Sequence, residues 1–96
     1  MGNINNYTLL HITLNANEVQ PVTYDQAYVL DIQNCGSSDV KISHDKDFTE
    51  HENVAEYISV ESGCGYNGFR LTDEYLTLYF RSDSDGAVNV VARSVY

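Results

Sequence analysis

Between Tyr75 and Tyr96 apolar and polar residues alternate. Leu76, Leu78 and Phe80 fall on one side of the first run, with Tyr75, Thr77, Tyr79 and Arg81 on the other. After Gly86, Val88, Val90 and Ala92 share one side, and Asn89, Val91, Arg93 and Val95 the other. Successive strand residues point to opposite faces, so this pattern predicts two strands with one buried face each. Ser82 to Gly86 separates them, a polar, glycine-ended linker that predicts a hairpin. The same alternation recurs upstream. Leu10, Ile12 and Leu14 line a first strand, and Tyr28, Leu30 and Ile32 a later one. NCGSSD at 34–39 then reads as a turn into Val40 and Ile42, a second predicted hairpin. Shorter strands are expected at 54–60, where Ile58 and Val60 face inward, and at 69–71. Asn67-Gly68 is a tight-turn signal, because both residues tolerate left-handed backbone angles.

The elements sum to an all-β chain: a small antiparallel β-sandwich of about seven strands, with a partly open β-barrel as the alternative. Residues 1–6 read as a flexible polar arm and 7–96 as a single domain. Pro21, the only proline, confines its segment to an edge strand or an irregular connection. The polar stretch 43–53, SHDKDFTEHEN, reads as a mobile surface loop.

Composition narrows the function. Fourteen acids against five bases give a net charge of −9. That balance argues against nucleic-acid binding, which needs clustered Lys and Arg, and against docking on an anionic membrane. No stretch is long and apolar enough for a membrane span, and the opening MGNINNYTLL does not have the form of a signal peptide. At 96 residues the chain buries roughly 60–65% of its unfolded surface, a modest margin for folding alone.

Few residues suggest chemistry. Asp45 and Asp47 in the acidic stretch, which also carries His44, Glu50, His51 and Glu52, and Asp83 and Asp85 in the last turn are candidate metal ligands. Imidazole and carboxylate together suit a transition metal, whereas an oxygen-only pair such as Asp83 and Asp85 suits calcium, although neither group completes a recognised calcium loop or zinc spacing. No cofactor is otherwise indicated. Cys35 and Cys64 each lie beside a glycine in a predicted turn. Two free thiols or a disulfide are both compatible with this. A bridge would add about 3.5–4 kcal/mol in the chain-entropy model, in an oxidising compartment. Ser, His and Asp are present, but none sits in a nucleophile elbow, so no catalytic residue is assigned and a non-enzyme is expected.

The eight tyrosines are the more informative group. Tyrosine joins a large contact area to a polar tip, which favours interfaces. Tyr66 stands among glycines. The outer face of the predicted last hairpin, Tyr75, Tyr79, Arg81, Val91, Arg93 and Val95, is too apolar for an idle surface. These seven residues form the expected interface, with a second copy of the chain as one partner.

As a whole the pattern resembles small virion-associated β-sandwich proteins of tailed bacteriophages and prophages. The stretches that carry the resemblance are Tyr28–Ser43 and Phe69–Ser94. It implies a non-catalytic structural or decoration protein on a capsid or tail. Such a protein would act by assembly with itself or other virion proteins, be located in the virion, and have no catalytic residues to carry over. Two other functions are compatible with the residues. One is a carbohydrate- or ligand-binding β-sandwich module, using loop tyrosines with nearby Asn, Asp and His. The other is a small metal-dependent hydrolase.

Overall fold

The computed structural model describes residues 7–49, 57–72, 74 and 76–94. Among the described residues there are eight strands: β1 (Tyr7–Leu14), β2 (Gln20–Thr23), β3 (Tyr28–Asn34), β4 (Val40–Ser43), β5 (Ile58–Val60), β6 (Gly65–Arg70), β7 (Thr77–Ser82) and β8 (Gly86–Ser94). They form two four-stranded sheets, ordered β1-β8-β3-β6 and β2-β7-β4-β5. All pairings are antiparallel. The all-β sandwich expected from the sequence is therefore the architecture observed, with eight strands where about seven were expected.

The pairing is nested. β1 pairs with β8, β2 with β7, β3 with β6 and β4 with β5, as if one long antiparallel ribbon had been wound into two facing sheets. Among the described elements only β4 and β5 are both consecutive and paired; every other connection crosses between the sheets. This is jelly-roll winding. It corrects both predicted hairpins. β7 and β8 lie in different sheets, as do β3 and β4. Alternation specifies which way a side chain points but not which strand lies alongside, and a short polar linker serves a corner as well as a hairpin.

The inward faces are as the alternation requires. Ile12, Leu14, Leu30, Ile32, Val40, Ile42, Val60, Leu78, Phe80, Val88, Val90 and Ala92 are buried in one core between the sheets. Each of the larger side chains contributes roughly 1.5–3 kcal/mol by leaving water.

The connections gather at two ends. At one end the turns β1–β2, β3–β4, β5–β6 and β7–β8 lock together. Asn34, fully buried, ends β3 there. Its Nδ2 donates to the carbonyls of Ser38 at 2.8 Å and Val60 at 2.9 Å, and its Oδ1 accepts from Gly36 N at 2.9 Å. Its backbone bonds Cys64 O at 2.9 Å and accepts from Gly63 N at 3.2 Å. Gly36 and Gly86 pack backbone to backbone, so that a Cβ on Gly86 would lie 3.1 Å from Gly36 Cα. Ser84 bonds Ser37 and Ser38, and Asn17 N donates to Ser82 O at 2.8 Å. The opposite end carries the connections β2–β3, β4–β5 and β6–β7.

Two local expectations change. Asn67-Gly68 is not a turn but a bulge within β6: Phe69 pairs with Leu30 while Tyr66 pairs with Ile32, one extra residue on the β6 side. Gly68 adopts φ 81°, and its N–H is held by Asp31 Oδ1 at 3.0 Å. The left-handed tolerance that signals a turn serves a bulge equally well. The stretch 43–53 is also not wholly a surface loop. Residues 46–49 form a turn that buries Phe48 completely.

Candidate functional site

The bulge in β6 shapes the site. In an unbroken strand, Tyr66 and Phe69 would point to opposite faces, being an odd number of positions apart. The extra residue puts both opposite inward-facing partners, Ile32 and Leu30. Their rings meet edge to face at 6.1 Å. β6 is the edge of its sheet, and β5, with β4 beside it, is the edge of the other.

A cavity of about 330 Å³ opens in that seam, walled by Ile42, Ser43, His44, Tyr57, Ile58 and Phe69. Ile42 and Ile58 face each other across the β4–β5 ladder and form its aliphatic side. The His44 ring leans on Phe69 at 5.6 Å and 44°. Tyr57 stands over the buried Phe48 at 6.1 Å, with the Lys41 ammonium 5.5 Å from its ring centroid. The turn beneath is held by short polar contacts. Asp45 N donates to Ser43 Oγ at 3.0 Å, Asp47 N to Asp45 Oδ1 at 2.9 Å, and Phe48 N to Asp45 O at 3.2 Å. Ring walls with a few polar groups are the usual lining of a small-molecule site.

A second depression at the same end, about 250 Å³, includes Thr8, Tyr24, Asp25, Tyr28 and Ala92 in its wall. Tyr28 Oη donates to Asp25 Oδ1 at 2.7 Å. That hydrogen bond, with burial and the carboxylate charge, raises the Tyr28 phenol above its ordinary value. Tyr24 lies edge to face against Tyr28 at 6.0 Å. Its hydroxyl is buried without a hydrogen-bond partner, and burial pushes its pKa up to about 12.

The expected interface is divided by the fold. Tyr79 and Arg81 lie on the outer face of the β7 sheet, Val91 and Arg93 on the outer face of the β8 sheet. The continuous patch predicted from a hairpin therefore does not exist. Arg81 bonds Asp83 at 2.8 Å and Asn17 Oδ1 at 3.0 Å, and Arg93 reaches Asp31 at 3.2 Å. Tyr66 stands apart from both groups, at the seam. Tyr75 and Val95 lie outside the described residues, as do Glu50, His51, Glu52 and the arm at 1–6.

The candidate metal ligands do not converge. Asp83 is turned to Arg81, Asp85 Oδ1 accepts from Ala16 N at 2.8 Å, and Asp45 closes its own turn. Among the described residues no three His, Cys, Asp or Glu side chains gather as a metal site. The turns bearing Cys35 and Cys64 do meet, through Asn34 N and Cys64 O, but both thiols are free and exposed. Cys35 Sγ instead accepts from Asn89 Nδ2 at 3.3 Å, and Asn89 Oδ1 accepts from His11 Nδ1 at 2.6 Å.

Sequence reasoning singled out His44 and Tyr66 but missed Phe48, Tyr57 and Phe69 as site residues. A lone phenylalanine between Asp47 and Thr49 was an available signal, since an aromatic inside a polar run needs a place to be buried.

No protein-family model matches the chain, and no curated protein is significantly similar to it. Solved structures are similar in fold. The cupin_2 domain of an XRE-family transcriptional regulator from Enterobacter cloacae superposes with a TM-score of 0.62 at 12% identity, over 95% of this chain and 84% of that one. A de novo designed double-stranded β-helix superposes with a TM-score of 0.54 at 19% identity, over 90% of this chain and 96% of that one. The fold is thus of the cupin-like, double-stranded β-helix class. These neighbours overturn the virion structural role implied by the sequence resemblance, because neither is a phage protein. The stretches behind that resemblance, Tyr28–Ser43 and Phe69–Ser94, hold strand pairs that turn corners between the sheets. Such alternation belongs to the winding. Among the described residues no helix is long and apolar enough to cross a membrane.

Proposed function

We propose that the chain is a non-catalytic binding module that seats a small ring-shaped molecule, a monosaccharide or a hydroxylated aromatic, in the seam cavity. The observation that carries this is the cavity itself: about 330 Å³, walled by the rings of His44, Tyr57 and Phe69 with Ile42, Ile58 and Ser43. Rings supply flat apolar area, and the imidazole and hydroxyl supply orientation. Such a wall suits holding a ligand rather than transforming it. It also keeps the ligand-binding alternative of the sequence in a new place, at β6 and β4–β5.

Saturation-transfer NMR against a panel of monosaccharides and simple phenols, with and without calcium, tests the proposal. At least one member should bind with shifts at Tyr57 and Phe69, and Phe69→Ala should weaken it at least tenfold. Absence of binding across the panel, or equal binding by the variant, overturns it.

A further inference from the structure

A β-sheet edge offers unpaired N–H and C=O groups to any passing strand, so natural sheets blunt their edges. The two sheets here have four edges: β1, β6, β2 and β5. Three are blunted. β2 carries Pro21, which has no N–H to give. β5 is three residues long. β6 is broken by the Asn67-Gly68 bulge and contains two glycines, Gly65 and Gly68.

β1 is different. It runs eight residues, YTLLHITL, without proline, glycine or any charged side chain. Its ladder to β8 is unbroken from Tyr7 to Leu14, so no bulge interrupts it. Among the described residues, no backbone bond other than that ladder reaches it. Midway along its outer face Leu9 is 69% exposed, the most exposed large apolar side chain described.

We propose that β1 is an interface whose occupant is β1 of a second copy of this chain. The two strands run antiparallel about a two-fold axis and join two four-stranded sheets into one. Charge sets where two copies can meet. At a net −9 two copies repel over most of their surfaces, and this uncharged strip is where they can approach. The strip is also complementary to itself. Antiparallel partners share a face, so a pairing centred on His11 sets Leu10 against Ile12 on the inner side and Leu9 against Thr13 on the outer. Each contact then occurs twice, as a two-fold interface requires.

Sedimentation velocity on the full chain over a wide concentration range is the test, combined with amide exchange of β1. The expected result is a monomer–dimer equilibrium in which the outward β1 amides become protected as the dimer fills. Leu9→Lys, at an exposed position that leaves the core untouched, should raise the dissociation constant at least tenfold. Thr13→Glu should act in the same direction, with the circular dichroism spectrum unchanged for both. A strict monomer at millimolar concentration overturns the proposal. So does a dimer whose β1 amides exchange freely or that both variants leave intact. Capture by β1 of an extended peptide from another protein, with no self-association, also overturns it in favour of a different partner.

Discussion

The described residues at the two ends of the wound ribbon make different kinds of contact. At the end bearing the β3–β4 and β7–β8 turns, Asn34 satisfies its amide in three directions and two glycine backbones touch. At the other end rings meet at 5.6 to 6.1 Å around a cavity of about 330 Å³, and the Tyr24 hydroxyl is buried unbonded. The contrast separates two duties. Hydrogen bonds between turns hold the winding at the first end, which leaves the second free to keep space and unpaired polarity. A site can stand open where the fold does not depend on closing it.

The comparison is broken most severely at Asn34. Asn34→Leu strands two carbonyls and an N–H in a dry corner and should cost about 3 kcal/mol or more, since each orphaned group costs roughly 1–3. Urea unfolding reads this as a lower midpoint, while ligand affinity of the folded fraction stays unchanged. A drop in affinity as well would show that the ends are coupled.

The next effect belongs to the open end and to pH. Tyr24 has its phenol pushed from 10.0 up to about 12, so the unfolded chain releases this proton before the folded one does. The associated stability is full below pH 10 and is lost as pH rises towards 12. The loss is on the order of 3 kcal/mol, at about 1.36 per pKa unit. Tyr24→Phe should flatten that part of the alkaline stability profile. Near neutral pH it should be neutral or stabilising by up to about 1 kcal/mol, because an unpartnered buried hydroxyl is removed. A parent-like alkaline slope in the variant would refute the assignment.

Gly86→Ala tests the closed end more gently. Its Cβ would press on Gly36 Cα at 3.1 Å, and the two turns must shift apart at about 1–2 kcal/mol. Thermal melting should register the loss. A modest loss of stability, about 1 kcal/mol, is expected for Phe69→Ala, because the ring is only half-buried. That variant should nonetheless give the largest loss of ligand binding, reversing the order seen at the closed end.

Which residues face inward was legible in the sequence. Leu10, Ile12 and Leu14, and Val88, Val90 and Ala92, follow from alternation alone. Strand partnership was not legible, because Ser82–Gly86 and NCGSSD serve a corner as readily as a hairpin, and what distinguishes them is distant: Gly36 against Gly86, Asn34 against Val60. The site was half visible. His44 and Tyr66 drew attention by type. Phe69 and Tyr57 did not, because their role depends on a bulge that shares its signature with a turn and on a sheet edge that exists only after winding.

The nested pairing also sets a timetable. β4 and β5 are the partners nearest in sequence, whereas β1 and β8 are the farthest apart, so each outer pair closes a longer loop than the one inside it. Zipping from the middle outward meets these costs one at a time, and the dominance of distant pairings places the chain among the slower folders of its size. In pulse-labelled refolding, amides of β4 and β7 should gain protection before those of β1. The strand that arrives last is the one with an unblunted edge, so the interval before β1 docks is when separate copies are most exposed to pairing with one another.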